Sequence, residues 1–109
     1  MGDKQIKIIH IDSEKGWRGG QQQAAYLFED MVEQGLQTLM VCQPNSKFSE
    51  FCQEKNLPYK EIKMQGEIDL IAGLKIALIA RKNNFKILHA HSAHALATAI
   101  WAKIFYRKL

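Results

Sequence analysis

Cysteine and proline are scarce in this chain, two of each among 109 residues. Cys42 and Cys52 make neither a CxxC motif nor a disulfide framework, so they read as small buried hydrophobes in a reducing compartment. A cytoplasmic location is expected. Long hydrophobic runs are missing too: no stretch approaches the about 20 apolar residues of a membrane span. The segment Met1 to Ile9 carries no apolar core followed by a small-residue cleavage site, and its start lacks the serine or threonine of a myristoylation signal. Neither export nor a spanning segment is expected. Charge of one sign is not in large excess, since 15 basic residues against 11 acidic ones leave a net +4. The lysines are spread along the chain with a mild concentration at Lys103, Arg107 and Lys108, which gives no reason to expect a nucleic-acid partner. Internal repeats and low-complexity linkers are absent as well.

What remains is the composition of a soluble globular protein, 47% hydrophobic and 24% charged, long enough for one domain with one modest core. The run Ile6-Lys7-Ile8-Ile9-His10-Ile11 is short, β-branched and closed by Asp12-Ser13, as a buried strand is. A loop from Glu14 to Gly20 follows. From Gln21 the apolar residues Ala24, Leu27, Phe28, Met31 and Val32 keep helical spacing up to Gly35, a residue suited to a left-handed C-cap. Leu39-Met40-Val41-Cys42 is a second strand, and Pro44-Asn45-Ser46 stops it and caps a short helix with Phe48, Phe51 and Cys52. After Pro58, the strand Tyr59 to Met64 carries Lys60, Glu61 and Lys63 and therefore belongs on a sheet edge. Asp69 caps a third helix whose expected apolar face is Leu70, Ile71, Leu74 and Leu78. Phe85 to Ala90 is a fourth strand, and Ala93, Leu96, Ala97, Ile100, Trp101 and Ile104 mark a fourth helix.

Strands and helices alternating on short connections predict an α/β fold, a partial Rossmann-like doubly wound parallel sheet in the order 3-2-1-4. The winding reverses between the first and fourth strands, and ligands of such sheets bind there, beyond the carboxyl ends. Two segments meet at that place, the loop Asp12 to Gly20 and the strand end His89-Ala90-His91-Ser92.

Gly16-Trp17-Arg18-Gly19-Gly20 runs into a helix, where adjacent glycines admit a bulky anion to the helix amides, so a diphosphate fits. The spacing is not the dinucleotide G-x-G-x-x-G, Gln43 stands where an acid would hold a ribose, and no Lys-Ser or Lys-Thr follows as in a P-loop. A glycine turn that merely joins strand to helix remains the alternative. His89, His91 and His94 form H-x-H-x-x-H, a pattern near the H-x-H-x-D-H of metallo-β-lactamase-like hydrolases, but Ala93 occupies the place of the acid. No metal site and no cofactor are expected. His10, within the first strand, reads as a structural histidine, whereas His91, with Ser92 and His94 at the helix start, faces the crevice.

Ile8 through Gln23, then Val41-Cys42-Gln43-Pro44, then Ile87 through Ala95, taken in this order, resemble the N-terminal domain of glycosyltransferase family 4. The resemblance implies a GT-B fold of two facing Rossmann-like domains, the C-terminal one holding a nucleotide-sugar donor and the N-terminal one shaping the acceptor site. It implies that Gly19 and Gly20 approach the donor diphosphate, and that Trp17, Arg18, His91, Ser92 and His94 line the acceptor side or cleft. Ser92 departs from the acidic residue that relatives often carry there. Residues 1–109 are thus expected to be an incomplete, acceptor-side domain without its donor-binding partner, inactive alone, from an enzyme that glycosylates a glycan or lipid-linked acceptor. A non-enzymatic interaction module and a His-ligated metal hydrolase are the rival readings. Two contacts are also expected: self-association through the fourth strand as an uncovered sheet edge, and a weak peripheral contact of Ala93 to Leu109 with the inner face of the membrane.

Overall fold

The computed structural model describes residues 7–17, 19–64 and 69–108, with the backbone alone at 93 and 94. Its elements alternate throughout: β1 (Lys7–Asp12), α1 (Gly19–Glu33), β2 (Gln37–Cys42), α2 (Lys47–Lys55), β3 (Tyr59–Glu61), α3 (Leu70–Asn83), β4 (Ile87–Ala90) and α4 (Ala93–Phe105). The four strands are parallel and lie in the order β3-β2-β1-β4 that the sequence predicts. His10 is registered against Met40 on one side and His89 on the other, so β1 is the central strand at which the winding reverses.

Small residues set most boundaries. Gly35 takes φ 82° after α1, and Asn56 and Asn84 take φ 55° and 60° after α2 and α3, left-handed positions that these residue types tolerate. Ser46, Asp69 and Ser92 cap α2, α3 and α4, each accepting a hydrogen bond from the backbone amide three residues on, at 3.1, 3.0 and 3.2 Å. Three boundaries differ from expectation. The first turn of α1 is built from Gly19 and Gly20 rather than starting at Gln21. The ladder of β3 stops at Glu61, although Ile62 and Met64 stay buried. Phe85 precedes β4 because its amide closes the end of α3 on Ala80 O at 2.9 Å.

Each sheet face builds a core. Ile9, Ile11 and Val41 pack with Ile76, Ala80, Ala95 and Ala102 of α3 and α4. On the other face Met40 and Cys42 pack with Phe28 of α1 and Phe48 and Cys52 of α2. The buried side of α3 corrects the sequence expectation: Leu70, Ile71, Leu74 and Leu78 are exposed, while Ala72, Gly73, Ile76, Ala77 and Ala80 are buried. On α4 likewise Leu96, Ile100 and Ile104 face outward and Ala95, Thr98, Ala99 and Ala102 inward. Close approach of the two helices is the reason. A Cβ added to Gly73 would stand 2.6 Å from the Cβ of Trp101, so only small residues fit the seam. Among the described residues, no helix is long and apolar enough to cross a membrane.

Candidate functional site

Alternation along β1 sends Ile9 and Ile11 to the α3/α4 core and leaves His10 and Asp12 on the α1 face. Both are fully buried polar side chains at the carboxyl end of the central strand. His10 meets the edge of Phe28 at a ring-centroid distance of 5.4 Å and lies 5.3 Å from His89 and 5.2 Å from His91. His89 and His91, two residues apart, have ring centroids 4.1 Å apart. His10 Nδ1 and His91 Nε2 are hydrogen-bonded at 2.9 Å, whereas His10 Nε2 is buried without a hydrogen-bond partner. Burial foremost, then the neighbouring charges of His91 and His89, lowers the His10 pKa to about 3. Burial and then His89 lower that of His91 to about 4. Both rings are neutral at physiological pH.

Asp12 is displaced in the opposite sense. Burial raises its carboxyl to about 6, the hydrogen bond from Gln21 opposing and the charge of Glu14 reinforcing the shift. Gln21 Nε2 donates to Asp12 Oδ1 at 3.2 Å, and the buried Oδ2 has no partner. The loop that follows is held at several points. Ser13 Oγ and Ser92 Oγ lie 2.7 Å apart, joining the ends of β1 and β4, and His91 N donates to Ile11 O at 2.9 Å. Gln43 Nε2 donates to Ser13 O at 3.0 Å and to Met64 O at 2.6 Å, while its Oε1 accepts from Met64 N at 2.9 Å. Lys47 N donates to Lys15 O at 3.0 Å. Trp17 rests on Phe48 and Phe51 with centroids at 5.6 and 5.5 Å, keeping 36% of its surface exposed.

Gly19 and Gly20, at the mouth of this loop, are exposed, and a Cβ added to either would meet no atom within 4 Å. Gly20 has no positive φ. Among the described residues nothing therefore requires glycine at these places, which form the first turn of α1 and not its interior.

The structure brings His91 and Ser92 together with the end of β1, and sets Trp17 apart on the aromatic side chains of α2. Arg18 and the side chain of His94 lie outside the described residues. Asp12, Ser13, Gln21 and Gln43 form a polar cluster that the motif search passed over. Its signal is readable: His10 and Asp12 alternate with Ile9 and Ile11 in a strand otherwise wholly apolar after Lys7. A cavity of about 610 Å³ opens at the other end of the sheet, between Lys7, Thr38, Lys60, Lys82 and Phe85. We place the site at the carboxyl ends, where the winding reverses and the buried polar groups converge.

No protein-family model matches this sequence, and no curated protein matches it. Solved structures do match in fold. MurG of Acinetobacter baumannii is similar with a TM-score of 0.69 at 15% identity, over 91% of this chain and 32% of that one. A glycosyltransferase from Rickettsia africae ESF-5 is similar with a TM-score of 0.68 at 16% identity, over 90% of this chain and 27% of that one. The chain therefore spans about a third or less of the solved proteins it matches, and what it shares with them is a partial Rossmann-like fold of four parallel strands alternating with helices.

Proposed function

We propose that these 109 residues form the acceptor-side half-domain of a nucleotide-sugar glycosyltransferase that acts on a glycan or lipid-linked acceptor. The observation that carries the reading is the adjacent pair Gly19 and Gly20, without steric cause among the described residues, at an open helix N-terminus beside the sheet's reversal point. A diphosphate approaching the amides of that turn supplies the missing cause. Fold likeness to two glycosyltransferase chains supports the same reading. In the proposed enzyme His91, Ser92 and Trp17 face the acceptor, with Arg18 and His94 assigned to that side by sequence position alone.

The chain spans about a third or less of the glycosyltransferase chains it resembles, and the 109 residues alone are proposed to bind diphosphate weakly and to turn over no donor sugar. Titration with UDP, followed by backbone amide shifts, is expected to perturb Gly16 to Gln23. Shifts confined elsewhere would remove the glycine loop from the reading, and turnover of a UDP- or GDP-sugar by this chain would sink the claim of inactivity. Self-association through β4 belongs to the same proposal, because that strand ends the sheet and Ile87 is 45% exposed. A concentration-independent monomer in light scattering would rule it out. The stripe of Leu96, Ile100 and Ile104, with Lys103 beside it, supports a peripheral contact with the inner face of a membrane. Co-sedimentation no better with anionic than with neutral liposomes would end that part.

A further inference from the structure

We propose that His10, His89 and His91 form a three-nitrogen site for a divalent transition-metal ion of the zinc, cobalt or nickel kind. One ring nitrogen from each of the three histidines lies within 4.8 Å of those offered by the other two. They come from different parts of the chain and meet through strand pairing: His10 is registered against His89, and His91 follows on the same face.

A tetrahedral zinc with bonds of about 2.0–2.1 Å needs its ligand nitrogens about 3.3 Å apart. His10 Nδ1 and His91 Nε2, now 2.9 Å apart, need only separate by a few tenths of an ångström to admit the ion between them. His89 is exposed and its ring is free to turn toward the same point. Three imidazoles and no nearby thiol favour the borderline ions over magnesium or calcium, which take oxygen ligands. With His89 at the solvent side, the fourth position is open to water. Proton balance is simple, since both buried rings are neutral and each carries one proton. The ion takes the lone pairs at the His10–His91 contact, and the proton shared there moves to the other nitrogen of its ring with no net release.

The H-x-H-x-x-H pattern points to His94 as the third ligand and fails for want of an acid. Through the sheet, His10 takes the third place instead. This site stands on ring geometry, independently of the glycosyltransferase reading.

Tag-free protein freed of metal by dialysis against chelator is titrated with Co(II), read by its visible d–d bands, and with Zn(II), read by the imidazole nitrogen resonances of the unaltered protein. One equivalent is expected to bind, with nitrogen shifts at His10, His89 and His91 together. His89→Ala, at an exposed position, should weaken binding roughly tenfold or more by leaving two ligands of three. Shifts at His89 and His91 with His10 unmoved would reveal a two-ligand surface chelate and overturn the proposal. Affinity unchanged in His89→Ala, or no d–d bands at millimolar cobalt, would do the same.

Discussion

The two faces of the sheet are built on opposite plans. Toward α3 and α4, β1, β2 and β4 present Ile9, Ile11, Val41, Leu88 and Ala90, and two helices covered in small residues close over them. Toward α1 and α2 the cover is aromatic over β2 and thins over β4, where Ile87 and His89 are exposed. Among the described residues, fully buried ionisable groups such as His10 and Asp12 lie at the strand ends on that second face. Burying an ionisable group without full pairing costs stability, so one face supplies stability that the other gives up at its buried polar groups.

Loss of the aromatic cover tests this division most severely. Phe28, fully buried and set against His10, anchors α1, and Phe28→Ala is expected to lower unfolding free energy by about 3–5 kcal/mol in urea titration. A loss below about 1 kcal/mol would mean that α1 contributes little to the core. Asp12→Asn should act in the reverse direction. The Asp12 carboxyl titrates near 6 in the folded protein against 3.8 as its ordinary value, so the folded state holds the proton more tightly. Its stabilising contribution is full below pH 3.8 and is lost as pH rises through about 6. At pH 7 the asparagine variant should therefore be more stable, by up to ~3 kcal/mol at roughly 1.4 kcal/mol per pKa unit. Its gain should vanish near pH 4. An Asp12→Asn variant less stable at pH 7 would show that the charged carboxylate is satisfied and not a burden. The smallest effect is expected on the apolar face. Gly73→Ala puts a methyl group against Trp101, and overpacking of this kind costs about 1–3 kcal/mol. A gain in stability, as helix propensity alone would give, would mean that α3 and α4 separate easily.

Much of this fold was legible in the sequence because hydrophobic period and punctuation agree there. Pro44, Gly35, Ser46 and Asp69 mark boundaries that the structure keeps, and alternation of strand and helix, with the charged third strand at an edge, agrees with the order β3-β2-β1-β4. The facing of α3 and α4 was not legible. Both helices carry two stripes of the same period, one of leucine and isoleucine and one of mostly small residues, and periodicity does not say which turns inward. Steric closeness at the seam decided it, and that is a property of the pair of helices. The site was half legible for a related reason. Motifs along the chain pointed to Gly19, Gly20, His91 and Ser92, whereas the association of His10 with His89 and of Ser13 with Ser92 arises from register between strands far apart in sequence.

Gln43 has a consequence for how the crevice meets a ligand. Its side-chain amide bonds to the backbone at Ser13 and Met64 much as a peptide unit would, adding a rung to the sheet where the strands have ended. The loops after β1 and β3 are thereby spliced to a single crossbar, with Lys47 N holding the first again at Lys15. A ligand of the proposed glycine-turn site would thus meet a stretch of chain whose ordering entropy was spent during folding, and would keep as affinity what a slack loop consumes in becoming still.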